Sequence, residues 1–118
     1  MDTYTAGFLS AAPNGDAIPI TATATGSAQT IHTAPTGTTA FDEISVWAAN
    51  TTGSAIQLTI EWNGASNALV FSVPANSVAA VIPEPGIPLR NAGTVKAFAS
   101  AGTGLFLFGK TVRIVPGG

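Results

Sequence analysis

Ala55-Ile-Gln-Leu-Thr-Ile-Glu-Trp-Asn63 alternates apolar and polar side chains, with Ile56, Leu58, Ile60 and Trp62 set against Gln57, Thr59 and Glu61. Successive side chains of an extended chain point to opposite faces, so this period of two predicts a half-buried β-strand with the aliphatic row inward. Asn63-Gly64 follows at once, a dipeptide that tolerates positive φ and turns the chain into a hairpin with Leu69 to Val73. On the other side, Asp42 to Asn50 alternates Ile44, Val46 and Ala48 against Ser45, Trp47 and Ala49, and Thr51-Thr52-Gly53 makes a turn. The reading is three successive antiparallel strands.

Further strands are expected at Ile18 to Thr25, Gln29 to Ala34, Val78 to Ile82, Thr94 to Ser100 and Leu105 to Val115. Turn residues recur about every ten positions and no amphipathic run is long enough for a helix, the pattern of an all-β protein. The expected fold is an antiparallel β-sandwich, jelly-roll-like, of about eight strands over residues 17–118. At 118 residues the chain has the length of a single domain. Residues 1–16 stand apart, because Ala6-Gly7, Ala11-Ala12-Pro13 and Asn14-Gly15 break any period while Tyr4, Phe8 and Leu9 stay apolar. They read as an arm that docks on a partner more than it contributes to folding.

Only 8% of the residues are charged, against about 25% in ordinary soluble domains, so the surface is unusually neutral. A net charge of -2 and a pI near 5.0 argue against nucleic acid or an anionic membrane as partner. There is no cysteine, hence no disulfide framework and no thiolate metal site. Residues 17–41 carry no charge but are filled with threonine, glycine, serine and proline, which is not a membrane-spanning helix. The amino terminus lacks a basic and apolar leader pattern, and the chain is expected to be made in the cytosol. All six acids precede all four bases. That order makes either cross-strand ion pairs within a subunit or acidic and basic faces between copies.

Gly104-Leu-Phe-Leu-Phe-Gly-Lys-Thr111 satisfies the phosphate-loop expression, yet that mechanism needs a helix whose N-terminus faces the phosphates. Leu105 to Phe108 are strand formers, and only seven residues follow Thr111. Nucleotide binding is therefore not expected, and Gly109 reads as a bulge or a close approach. His32 is the single histidine and reads as a hydrogen-bonded structural residue. Asp42 and Glu43 are adjacent, so a strand sends them to opposite faces and they do not converge as an acid and base pair. A pairing of Asp42 with Glu61 is left to the fold. No catalytic residue, cofactor or metal is assigned, and the Asn50-Thr51-Thr52 sequon carries no weight without a leader.

Trp62 shares its face with aliphatics and reads as core, whereas Trp47 falls on the outward parity beside Ser45 and Glu43. An outward tryptophan suits a protein interface or a sugar platform. Leu105-Phe106-Leu107-Phe108 puts large side chains on both faces of one strand, and a lone sandwich buries one face of each sheet. The candidate contacts with a partner or another subunit are Tyr4, Phe8, Leu9, Trp47, Leu105 and Leu107.

The order of an arm, Ile20-Thr-Ala-Thr-Ala-Thr25, Ile31-His-Thr-Ala-Pro-Thr-Gly37, Ile44-Ser-Val-Trp-Ala-Ala-Asn50 and Leu58-Thr-Ile-Glu-Trp62 resembles small β-sandwich virion proteins of tailed bacteriophages. Pro74-Ala-Asn-Ser-Val78, Gly93-Thr-Val-Lys-Ala-Phe98 and Thr111-Val-Arg-Ile114 are similar in the same way. The resemblance implies a non-enzymatic head decoration or cement protein, often trimeric, on the outer capsid surface of the virion. Its implied partner is the major capsid protein. A carbohydrate-binding or adhesin-like module of a head fibre, neck or tail is the alternative.

Overall fold

The computed structural model describes residues 1–117. Nine strands form: β1 (Thr3–Gly7), β2 (Ile18–Pro19), β3 (Gln29–Thr33), β4 (Phe41–Asn50), β5 (Ile56–Trp62), β6 (Ala68–Val73), β7 (Ser77–Leu89), β8 (Thr94–Ala99) and β9 (Leu105–Val115). The first sheet runs β1-β9-β4-β7, with β2 on the other end of β9, and the second runs β3-β8-β5-β6. All pairings are antiparallel. This strand order is a jelly roll, two four-stranded sheets packed face to face, in which β1 and β2 are two pieces of one interrupted strand. The expected all-β sandwich is the fold.

The β5–β6 hairpin forms as its turn residues dictate, with Asn63 at φ 55° and Gly64 at φ 130°. The expectation of three successive paired strands fails one step earlier. β4 lies between β9 and β7 in the first sheet while β5 belongs to the second, so Thr51 to Ala55 crosses between sheets. Alternation specifies which face a side chain takes, not which strand lies beside it. Asn50 holds the crossing: its Nδ2 donates to the carbonyls of Ser54 (2.8 Å) and Val73 (3.1 Å), and its Oδ1 accepts from Thr52 N–H (2.9 Å).

Ile44, Val46 and Ala48 of β4 and Leu105 and Leu107 of β9 face Leu58 and Ile60 of β5 and Val95 and Ala97 of β8, all fully buried in one cluster. Each buried valine, leucine or isoleucine of this cluster contributes about 1.5–3 kcal/mol through burial. Residues 1–16 join this body instead of standing apart from it. Thr3–Gly7 pairs with Thr111–Val115, and Leu9 is buried against Gly109, where a β-carbon would collide with it. The backbone partners that the local sequence lacks are supplied by the far end of the chain.

Candidate functional site

The first sheet presents an apolar outer face. Register places Trp47 of β4 beside Phe108 of β9 and Ala80 of β7, and Ala49 beside Phe106 and Val78. At the other end of the sheet, Ile114 stands between Phe41 of β4 and Tyr4 of β1. Tyr4 is 67% exposed, Phe108 39% and Val78 68%. Charge enters this face through Glu43 and through Lys110, whose Nζ lies 3.0 Å from a carboxylate oxygen of Glu84. That pair is half exposed on both sides and holds its two charges within the subunit.

The second sheet has the opposite character. Its outer face carries Gln57, Thr59 and Glu61 of β5, with Phe98 and Lys96 of β8 opposite the last two. The sequence calls Thr59 and Glu61 a polar outer row, yet both are buried, at 9% and 4% exposure. Residues 21–28 fold back over this side: Ala22 accepts from Ala99 N–H (2.9 Å), and the Thr25 hydroxyl donates to the Glu61 carboxylate. Gln29 fixes the segment by accepting from Thr21 and Ala22 N–H, the latter at 2.9 Å. The two outer faces thus differ in chemistry: the second sheet's is polar, with its buried carboxylate engaged by Thr25, and the first sheet's is apolar, with Tyr4, Val78 and Phe108 exposed on it.

The six candidate contacts separate on this frame. Leu105 and Leu107 are completely buried, because register sets them beside Asn50 and Ala48 on the inner side of the sheet. The outward pair of that strand is Phe106 and Phe108. Leu9, at 2% exposure, is likewise a core residue of its own subunit. Tyr4 and Phe8 are exposed, and Trp47 points outward, half buried between its strand neighbours. Trp62 packs partly buried on the core.

A second cluster joins both sheets beneath the amino-terminal segment. His32 Nε2 lies 2.7 Å from Asp42 Oδ2, and Ser10 Oγ lies 2.9 Å from Nδ1. Ser10 N–H also donates to Nδ1 at 2.9 Å, so that nitrogen carries a lone pair and Nε2 carries the proton that bonds Asp42. Arg113 grips the same carboxylate through Nε (2.8 Å) and Nη2 (3.0 Å). Burial pushes the Asp42 carboxyl up, and the bonds from Arg113 and His32 outweigh it and hold it below the ordinary carboxylate range. The bond to Asp42 in turn raises Arg113.

Serine, histidine and aspartate in line suggest acyl transfer, but the local backbone favours a latch. Ala11 N–H is given to Ile31 and Ala12 N–H to Leu9, so neither of the two amides that follow Ser10 is free to hold an oxyanion. Ser10 Oγ accepts from Thr33 N–H at 3.1 Å. The cluster therefore ties residues 8–12 to β3 and β4. Asp42 lies between the sheets and Glu61 on the outer side of the second sheet, so these two carboxylates do not converge. Leu105 to Thr111 is strand, paired residue by residue with β4, and Gly104 ends the turn before it at φ 89°; the amides of the run form a ladder instead of a phosphate cradle. Among the described residues no group of three or more His, Asp or Glu gathers to hold a metal, and no helix is long and apolar enough to cross a membrane.

Sequence reasoning missed the Ser10–His32–Asp42–Arg113 cluster because its members are 10 to 103 positions apart in the chain. No protein-family model and no curated protein matches this chain. A solved chain from the disulfide-linked pili of Bacillus endospore appendages is similar to it in fold, with a TM-score of 0.57 and 18% identity. The likeness covers 99% of this chain and 92% of that one, and it is a likeness of jelly-roll architecture.

Proposed function

We propose that this chain is a non-enzymatic structural subunit that acts by burying its open apolar face on neighbouring proteins of a larger particle. One observation carries the reading: the outer face of the first sheet gathers Tyr4, Val78 and Phe108, all exposed, with the partly exposed Trp47 and Phe106 between them, whereas the outer face of the second carries Gln57, Thr59, Glu61 and Lys96 and has its carboxylate engaged by Thr25. A sheet apolar on both sides calls for a second layer. In the finer form of the proposal, suggested by the resemblance to phage head proteins, the layer is the major capsid protein. The subunit then acts as a decoration protein on the outer capsid surface of the virion, with a homotrimer as the implied assembly. The likeness in fold to a pilus subunit supports the coarser reading, a structural subunit. This chain has no cysteine and cannot be linked by disulfides.

The test is copy number and attachment. Quantified in purified particles, a decoration protein is present at hundreds of copies, and it rebinds particles stripped of it. A few copies per particle, or no rebinding, would count against the capsid role. The glycan-binding alternative rests on Trp47, and a glycan array with Trp47→Ala separates it: binding lost in the variant favours a sugar platform.

A further inference from the structure

The four sheet edges are protected unequally. The edge of β7 carries Pro83, Pro85 and Pro88, which have no N–H to offer another strand. The edge of β3 is occupied by the amino-terminal segment, with Ala11 N–H on Ile31 (3.1 Å) and Thr33 N–H on Ser10 Oγ. β1 is open but short, and Tyr4 is its one large apolar residue. β6 is open as well and reads Ala68-Leu-Val-Phe-Ser-Val73, six residues without charge or proline, three of which, Val70, Phe71 and Val73, are strong sheet formers. Among the described residues, no turn or loop backbone bonds to Ala68–Ser72, whose ladder partners are on β5. Val70 is 55% exposed on it.

We propose that β6 is a self-association edge, pairing antiparallel with β6 of a second copy about a two-fold axis and joining two second sheets into one of eight strands. The strand's own sequence argues for a copy of itself as occupant. Directly opposed residues of an antiparallel pair share a face, so a two-fold axis must pass through a residue, Val70 or Phe71. Through Val70, inward Leu69 opposes inward Phe71 of the second copy, and outward Ala68 opposes Ser72. Apolar then meets apolar on the core side and small meets small outside. No charge lies on the strand to repel the like strand, and Glu61 on the neighbouring strand is already engaged by Thr25. This contact lies on the second sheet and goes beyond the proposed function, which uses the outer face of the first.

The absence of cysteine makes the test direct. Val70→Cys, and the double variant Val70→Cys with Ser72→Cys, are oxidised and compared with Val78→Cys, an exposed control on the first sheet. Opposed β-carbons lie about 4.5–5.5 Å apart, near enough for a disulfide with a small shift. The expected result is a cross-linked dimer several-fold above the control in at least one β6 variant. A concentration-dependent dimer of the unmodified chain is expected in sedimentation, and Val70→Lys or Ser72→Lys should reduce it at least tenfold while the melting transition is kept. A monomer at a hundred micromolar with no cross-link above control overturns the proposal. So does a dimer that both lysine variants leave intact. Particle attachment, measured on Val70→Lys, should stay normal, so the two readings fail separately.

Discussion

The two outer faces of this jelly roll differ in what finishes them. On the second sheet the Thr25 hydroxyl meets the Glu61 carboxylate, and Thr59 and Glu61, which alternation assigns to solvent, are buried while Gln57 of the same row is exposed. On the outer face of the first sheet, Trp47 and Phe106 are partly exposed and Phe108 is exposed, an apolar group without a polar row beside it. Hydrophobic patterning says which side chains avoid water. It does not say whether the same subunit or another one provides the shelter.

The largest expected effect separates the two sides of β9. Leu107→Ala opens a cavity in a fully buried position and should cost about 2–5 kcal/mol in denaturant unfolding. Phe108→Ala, one residue on and facing outward, should cost less than about 1 kcal/mol in the isolated subunit. Equal losses would mean that the outer face is sealed within the subunit.

Asp42→Asn should cost about 1–3 kcal/mol, since it weakens the charge-assisted bonds to Arg113 and His32. The fold holds this carboxyl below its ordinary value of 3.8, so it favours the ionised form. That stabilisation is complete only about one pH unit above 3.8 and fades as pH falls through 3.8 toward the lowered value. The unmodified chain should therefore lose stability steeply in acid below pH 4, and Asp42→Asn should show a shallower slope there. Parallel acid titrations of the two proteins would remove Asp42 from the account.

Much of the fold is legible locally. Strands β3, β4, β5, β6, β8 and β9 follow from alternation and turn residues, and the β9 expectation coincides with Leu105–Val115. β1 is illegible because Thr3-Tyr-Thr5 favours sheet but the small, period-breaking residues from Ala6 to Gly15 give no alternation to extend it, and it forms on a partner more than a hundred positions away. Four apolar residues in a row, Leu105 to Phe108, cannot reveal their own parity, and only pairing with Ala48 and Asn50 sets the leucines inward. Trp47 could be placed because polar Ser45 and Glu43 share its parity. The buried role of Leu9 and the Ser10 latch were illegible for the same reason as β1. Deleting residues 2–15 should accordingly lower the melting temperature, where the sequence alone expects folding to survive.

On the second sheet's outer face, Thr25→Ala should cost about 1 kcal/mol by removing the hydroxyl that the buried Glu61 carboxylate accepts from, without changing particle attachment. A loss of attachment here would move the interface to the second sheet. The smallest effect belongs to Lys110→Ala. Its pair with Glu84 is half exposed, and such pairs contribute at most about 1 kcal/mol. Calorimetry should also find no ATP binding for that variant to abolish.

The central claim is that the first sheet's outer face is the one a neighbour covers. Its most direct test introduces one carboxylate on each face, Phe108→Glu on the first sheet and Gln57→Glu on the second, and measures binding to particles stripped of the protein. Both positions are exposed in the subunit, so both variants should fold. The account predicts that Phe108→Glu weakens binding at least tenfold while Gln57→Glu binds normally; normal binding by Phe108→Glu, with or without a loss in Gln57→Glu, would contradict it.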